Sequence, residues 1–310
     1  ETRVSGKAIL ALCIGVLTLG VAFGRLALGS ERDWGIITLL IVGSILSLLF
    51  CHLANGEARQ SNHTLAGIGA AKVGLWLASL GFVFFILVSP YVYRMHRSAA
   101  RFRAFDQLKR LGDAIHEYAW EHEGRLPPAA IRNAHGRPLL SWRVLLLPYL
   151  GQQELFDQFK LDEPWNSPHN LKLLDRIPDV LKPARGILAE KEDIEGGRTF
   201  YQAIVGPGSV FDPRGMTFSD IVNADGGPST LLLVHGVKAV PWTKPEDISF
   251  EPNGPLPQIG EVIHDLTCNR EHLILLADVS FRPVPIDHMN DRLLRLLILW
   301  NDGQPLPPDW

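Results

Sequence analysis

Residues 65–124 read LAGIGAAKVGLWLASLGFVFFILVSPYVYRMHRSAARFRAFDQLKRLGDAIHEYAWEHEG, and this stretch decides the fold that we expect. It is apolar up to Pro90, turns basic at Arg94, and is amphipathic from there to Gly124. A single continuous helix over this stretch would be roughly 90 Å long, at about 1.5 Å per residue. The sequence therefore predicts a helix that first crosses a membrane and then packs, as a spine, on a soluble domain.

The second half of this stretch has one apolar helix face. Its apolar residues recur at intervals of three and four, at Phe105, Leu108, Leu111, Ile115 and Tyr118. The pair Pro127–Pro128 follows Gly124 and ends any helix. We expect the apolar face to lie on the core of the domain that follows.

Two further apolar runs, at 7–29 and 34–54, precede this stretch. Each has about the 20 residues that a helix needs to cross a bilayer. Glycines recur through all three runs and permit close packing of membrane helices. We expect three transmembrane helices, the third running from residue 65 into the spine; the alternative is a set of buried helices in a soluble protein.

Residues 5–90 resemble a small bacterial multi-helix membrane domain of unknown function. The resemblance is carried by HLANGEARQS at 52–61 and LAGIGAAKVG at 65–74. It implies that the front of the chain is a membrane module joined to a separate domain.

Composition limits the classes of function. The net charge of −3 offers no broad basic surface, so we expect no nucleic-acid partner. The three cysteines are scattered at Cys13, Cys51 and Cys268, so the soluble part has no internal disulfide and no C-x-x-C metal or redox motif. About 215 residues follow the apolar runs, enough for a self-supporting core.

The part after residue 94 carries longer motifs. They are QLKRLGDAIHEY at 107–118, GRLPPA at 124–129, GRPLLSWRVLLLPYLGQQELFDQF at 136–159, LDEPWNSPHN at 161–170, ADGGPSTL at 224–231 and VPWTKPED at 240–247. On these motifs, residues 86–306 resemble the planctomycete-type pilin-like (pseudopilin-like) domain family of unknown function, known by a C-terminal H-x9-DG signature. The resemblance implies a long helix packed on an antiparallel sheet.

This signature is altered here. Asp278 is kept, Val279 stands where the family has glycine, and Cys268 stands where the histidine would be. Because glycine adopts backbone conformations that valine avoids, we expect the turn after Asp278 to be built differently.

The residue pattern after the spine predicts an α+β fold. Runs rich in β-branched and aromatic residues, bounded by Gly, Pro and Asp, predict strands at 199–205, 231–235, 273–277 and 281–283. Short helices are expected at 152–159, 170–175, 216–223 and 290–300. One long helix followed by short strands indicates a helix packed on an antiparallel sheet.

No set of residues has the spacing of an active site. His235, His264, His272 and His288, with Asp265 and Asp278, match no metal-ligand motif, so surface or capping roles are expected. A hydrolase or metal enzyme around His264 and Asp278 is the minor alternative. The candidate nucleophiles lie in no nucleophile elbow; they are Ser141, Ser209 and Ser229. The segment GPGS at 206–209 lacks the lysine of a phosphate loop.

Three tryptophans beside prolines or in apolar runs are expected to anchor the core and turns, the alternative being a sugar or peptide platform. They are Trp142, Trp165 and Trp242. We therefore predict no catalytic, cofactor-binding or metal-binding residue, no cofactor and no enzyme activity.

A cluster of arginines indicates on which side of the membrane the soluble domain lies; its members are Arg94, Arg97, Arg101 and Arg103. The positive-inside rule places such a cluster in the cytoplasm. The pilin-like resemblance implies the outer side, and we expect the outer side.

These observations divide the chain into a two-helix membrane hairpin (1–64), a third transmembrane helix continuing as the spine (65–124) and a pilin-like α+β domain (125–310). We predict a non-enzymatic, membrane-anchored structural or assembly subunit of a bacterial inner or cytoplasmic membrane, with its soluble domain periplasmic or extracytoplasmic. Its expected partners are the lipid bilayer and other membrane subunits or copies of itself. The alternative is an accessory, binding or sensory subunit of a larger membrane complex. No acidic residue occurs between residues 65 and 93, so cleavage and standard pilus assembly are not expected.

Overall fold

A computed structural model describes residues 102–183, 196–263, 270–307 and 310, together with Trp76 and Ser79. The chain divides into two compact units, Glu1–His96 and Arg97–Trp310. The fold described below is that of the second unit. The division into 1–64, 65–124 and 125–310 stays a prediction.

The predicted fold class is corrected in one respect. The described part is α+β with antiparallel sheets, but the prediction of three transmembrane helices is wrong for this structure, because no helix among the described residues is both long and apolar enough to span a membrane. The long helix that is described carries charged residues along its length, so it is amphipathic. The apolar runs at 7–29, 34–54 and 65–93 lie outside the described residues apart from Trp76 and Ser79, as does the stretch that resembles a membrane module.

Helix α1 covers 102–121 in the described part and has the predicted apolar face. Glu123 and Gly124 then take positive φ angles of 57° and 82°, and the Gly124 N–H donates to the Ala119 carbonyl at 2.8 Å. This is the left-handed closure that commonly ends helices. Three residues of the predicted face are buried: Leu108, Leu111 and Ile115. Phe105 and Tyr118 lie half-buried at its edges.

The segment after α1 forms a layer of short elements. They are β1 (Ala130–Arg132), β2 (Pro138–Ser141), α2 (Trp142–Leu145), a 3-10 turn at Pro148–Leu150, α3 (Gln153–Phe156) and a 3-10 segment at Asn170–Arg176. Strands β1 and β2 pair as an antiparallel hairpin. Ser141 then caps α2, because its side chain accepts a hydrogen bond from the Arg143 backbone N–H.

The main sheet has five antiparallel strands. They are β3 (Arg198–Gln202), β5 (Leu231–Pro241), β7 (Val262–Ile263), β8 (Arg270–Leu276) and β9 (Phe281–Pro285). Strand β8 is central, pairing with β5 and β7 on one edge and with β9 on the other, while β3 pairs with β5. The parallel pair β4 (Ile204–Val205) and β6 (Ile248–Ser249) lies apart from this sheet.

Two short helices complete the unit, and each is capped by a side chain. Helix α4 (Phe218–Asn223) begins with a capping box between Thr217 and Asp220. Helix α5 (Asp291–Ile298) begins at Asn290, whose side chain accepts from the Leu293 N–H at 2.9 Å.

The main sheet is covered on both faces, which the sequence did not predict. Alternate residues of β8 enter two separate apolar clusters. Leu273 and Leu275 join the cluster that contains α1, whereas Ile274 and Leu276 join the one that contains α5. The layers are therefore α1, the sheet and α5, instead of the expected helix on one face of a sheet.

Most of the predicted strands and short helices are present in the structure. The segments expected at 199–205, 231–235, 273–277 and 281–283 are strands, and the helices expected at 152–159, 216–223 and 290–300 are present in shorter form. The helix expected at 170–175 is a 3-10 segment.

Candidate functional site

Arg143 of α2 and Asp247 form a deeply buried ion pair. The Arg143 Nη2 lies 2.7 Å from Asp247 Oδ1, and the two side chains are 0% and 4% exposed. Arg143 also donates from Nε and Nη2 to the Tyr201 carbonyl, at 3.0 and 2.7 Å, and from Nη1 to Ser141 Oγ at 2.7 Å. Asp247 in turn accepts from the Ala203 N–H at 2.9 Å and from the indole of Trp142 at 3.2 Å. One ion pair thus connects α2, the end of β3 and the segment before β6.

Burial dominates the electrostatics of this pair. It raises the pKa of Asp247 and lowers the pKa of Arg143, while their mutual attraction opposes both shifts. Because both groups direct their hydrogen bonds at each other, at the backbone and at Trp142, they hold segments together instead of presenting a reactive group. Ser141 Oγ accepts from the Arg143 guanidinium, which stays protonated and cannot act as a base.

Two of the tryptophans confirm their predicted role as anchors. Trp142 and Trp242 are both 0% exposed. The Trp242 indole donates to the Leu174 carbonyl at 2.9 Å, which fastens the 3-10 segment to the end of β5. Trp165 is only half-buried, and the Lys244 Nζ lies 5.6 Å from its ring centroid.

The structure brings two of the weighed histidines together. His235 of β5 and His272 of β8 both line a groove of about 490 Å³, with Phe200, Val237 and Met289 among its other walls. No sequence motif contains both histidines, because they come close only through the pairing of β5 with β8. His288 lies on a different groove, beside Arg282 and Trp310, and His264 and Asp265 lie outside the described residues.

The backbone shapes this groove at two glycines. A side chain at Gly236 would meet the Gln202 amide at 2.4 Å, and one at Gly260 would meet the Gly236 carbonyl oxygen at 2.2 Å. The close approach lets the Gly260 N–H donate to the His235 carbonyl at 2.7 Å. Only glycine at these positions allows the loop before β7 to lie against β5.

The two imidazoles differ in environment. His272 Nδ1 donates to the Gly260 carbonyl at 3.0 Å. His235 stacks on Phe200, with ring centroids 4.7 Å apart, and its Nδ1 is buried without a hydrogen-bond partner. Burial lowers the pKa of His235 to about 4, so the ring is neutral at neutral pH and is a weak proton acceptor.

The remaining residues weighed from the sequence have local roles. Ser209 Oγ donates to the Gly206 carbonyl at 2.9 Å, so residues 206–209 form a turn. Ser229 lies in a 3-10 turn, Gly227–Ser229. Across the described ranges, no group of three or more His, Cys, Asp or Glu side chains could hold a metal ion.

In the turn after Asp278, Val279 takes the left-handed conformation that valine usually avoids, with a φ of 63°. The expectation that this turn differs from the glycine turn of the pilin-like family stays a prediction. The Val279 N–H donates to the Leu276 carbonyl at 3.0 Å, and Asp278 accepts from the Ser280 N–H at 2.9 Å. The Val279 side chain packs against the α1 core near Gly112, and this packing offsets the backbone strain.

Comparison with known proteins identifies one family. Residues 97–233 match the family described as "Protein of unknown function (DUF1559)". The match lies within residues 86–306 and confirms, for residues 97–233, the predicted resemblance to a domain family of unknown function. No curated protein and no solved structure matches the chain significantly.

Proposed function

We propose that the Arg97–Trp310 unit is a non-catalytic, pilin-like structural or assembly subunit that works outside the cytoplasm. One observation carries the proposal: helix α1 lies with its apolar face on an antiparallel sheet, which is the arrangement that the pilin-like resemblance implies. The buried Arg143–Asp247 pair adds support, because its hydrogen bonds stabilise the domain and leave no charged group poised for chemistry.

The assembly role is tested on the purified full chain. Sedimentation velocity and electron microscopy should show homogeneous assemblies of this chain, or a complex with a fixed number of other chains. A chain that stays monomeric at all concentrations and purifies alone overturns the proposal.

The location is tested by labelling in intact cells. Lys172 is exposed, and a Lys172→Cys variant in which the native cysteines are replaced by serine offers one surface thiol. A membrane-impermeant thiol reagent should label it without lysis. Labelling that requires lysis places the domain in the cytoplasm and contradicts the proposed location.

A second candidate function is binding of a partner in the groove of His235 and His272. The buried, unpartnered Nδ1 of His235 favours it, because such a group gains a hydrogen bond when a ligand supplies one. Val237 lines the groove and is half exposed, so Val237→Lys should block it without disturbing the core. Loss of co-purifying chains in Val237→Lys, but not in Val222→Lys at another exposed valine, supports this function; their retention in both contradicts it.

A further inference from the structure

The outward face of α1 carries two large exposed apolar side chains. Trp120 is 89% exposed and Phe102 is 72% exposed. Their separation corresponds to about five turns of 3.6 residues, so both lie on one side of the helix. Tryptophan and phenylalanine are enriched in contacts between proteins, and each of these side chains offers a large apolar area for such a contact.

Charge is segregated along the same face. Its first half exposes Arg103, Lys109 and Arg110 against one acidic residue, Asp106. In its second half the exposed charged residues are all acidic, at Asp113, Glu117 and Glu121. Acidic residues at the carboxyl end of a helix oppose the helix dipole, so apart from the Lys109–Asp113 ion pair at 3.0 Å this arrangement does not stabilise the helix itself.

One edge of the main sheet, formed by β9, is closed to strand addition. The Ile286 N–H donates to the Arg270 carbonyl, so even-numbered residues of the β9 segment face β8 and odd-numbered residues face outward. The outward positions include Pro283 and Pro285, which have no N–H to offer. A second chain could not extend the sheet regularly at β9.

We propose that the outward face of α1 binds the same face of a second copy of this chain, with the two helices antiparallel. This inference rests on the proposed assembly role and identifies the surface through which two copies of the chain associate. Antiparallel pairing sets the basic half of each helix against the acidic half of the other, and it places Arg103 near the partner's Trp120 for a cation–π contact. The contact is self-complementary, so it closes as a two-fold dimer.

The size of the face sets the strength of the contact. One helix face of this length buries less than the roughly 800 Å² per partner found in stable interfaces. The dimer is therefore reversible, depends on chain concentration, and weakens as salt screens the charge pairs.

The test is a charge-swap experiment followed by sedimentation velocity. Arg103→Glu and Glu117→Lys should each abolish dimers of the full chain, and an equimolar mixture of the two variants should restore them. Trp120→Ala should weaken the dimer, whereas Asp162→Lys, an exposed charge reversal elsewhere, should leave it unchanged.

Orientation is tested by cross-linking in a chain whose native cysteines are replaced by serine. A cysteine at Arg110, near the middle of the face, should form a disulfide-linked dimer, and one at Arg103 should not link to itself. Self-linking at Arg103 indicates parallel helices and overturns the inference. Assemblies that persist unchanged in all the charge variants overturn this interface but leave the assembly role intact, whereas a wild-type chain that never associates overturns both.

Discussion

At the scale of single residues, the Arg143–Asp247 pair has the largest predicted effect on stability. Removing one partner leaves the other charge buried and unpaired, so Arg143→Met or Asp247→Asn should lower the free energy of unfolding by about 3–5 kcal/mol. Urea denaturation measures this loss. Arg270 is a suitable control, because its side chain and that of Glu261 are 56% and 38% exposed in their ion pair, and Arg270→Met should cost less than about 1 kcal/mol. Equal losses in the two sites would contradict the structural role of Arg143.

His235 makes a second prediction at this scale, for the pH dependence of stability. Burial lowers its pKa from the ordinary 6.5 to about 4, so between these values the unfolded chain binds a proton that the folded chain does not. Stability is therefore unaffected by this group above pH 6.5 and falls as the pH drops from 6.5 through about 4, by about 3 kcal/mol in all.

The His235 prediction is checked by chemical denaturation across this pH range. His235→Gln should flatten the fall in the free energy of unfolding, whereas replacing His135, which is exposed on the β1–β2 hairpin, should leave the curve unchanged. An identical slope in wild type and His235→Gln would show that the burial of this ring does not control acid stability.

At the scale of elements, the β8–β9 hairpin depends on a valine in a glycine conformation. A left-handed backbone costs a residue with a Cβ about 1–2 kcal/mol, and glycine avoids this cost. Val279→Gly should therefore be more stable than Val279→Ala by about 1 kcal/mol, the reverse of the usual order. The free energies of unfolding of the two variants decide this, with Val144→Ala and Val144→Gly in α2 as a control pair that should show the usual order. Alanine equal to or better than glycine at position 279 would mean that the turn is not strained.

The elements of this unit differ in how well the sequence predicts them. The face of α1 and the leucine-rich α5 followed from periodicity, because spacing along one element is visible in the sequence. The groove of His235 and His272 did not, because it depends on which strands pair. The Arg143–Asp247 pair was missed for the same reason, although its residues lie within two motifs, LLSWRVLL at 139–146 and VPWTKPED at 240–247. The sequence also did not show that Val279 packs against the α1 core, which compensates for its left-handed backbone.

At the scale of the whole unit, the sheet stands between two apolar clusters that share its central strand. Alternate residues of β8 belong to the α1 cluster and to the α5 cluster, so neither cluster can be lost while the other keeps its sheet. Cooperative unfolding of the Arg97–Trp310 unit follows from this shared strand.

This cooperativity is tested with one substitution in each cluster. Leu111 and Leu297 are both 0% exposed, so Leu111→Ala and Leu297→Ala should each cost about 2–5 kcal/mol. Hydrogen exchange in increasing denaturant should show that peptides from α1, β8 and α5 lose protection at one common midpoint, and that either substitution moves this midpoint for all three. Val222→Ala, on the exposed face of α4, should move it by less than about 0.5 kcal/mol. If Leu297→Ala releases α5 while α1 stays protected, the two clusters unfold independently, and the shared strand does not join them into one cooperative unit.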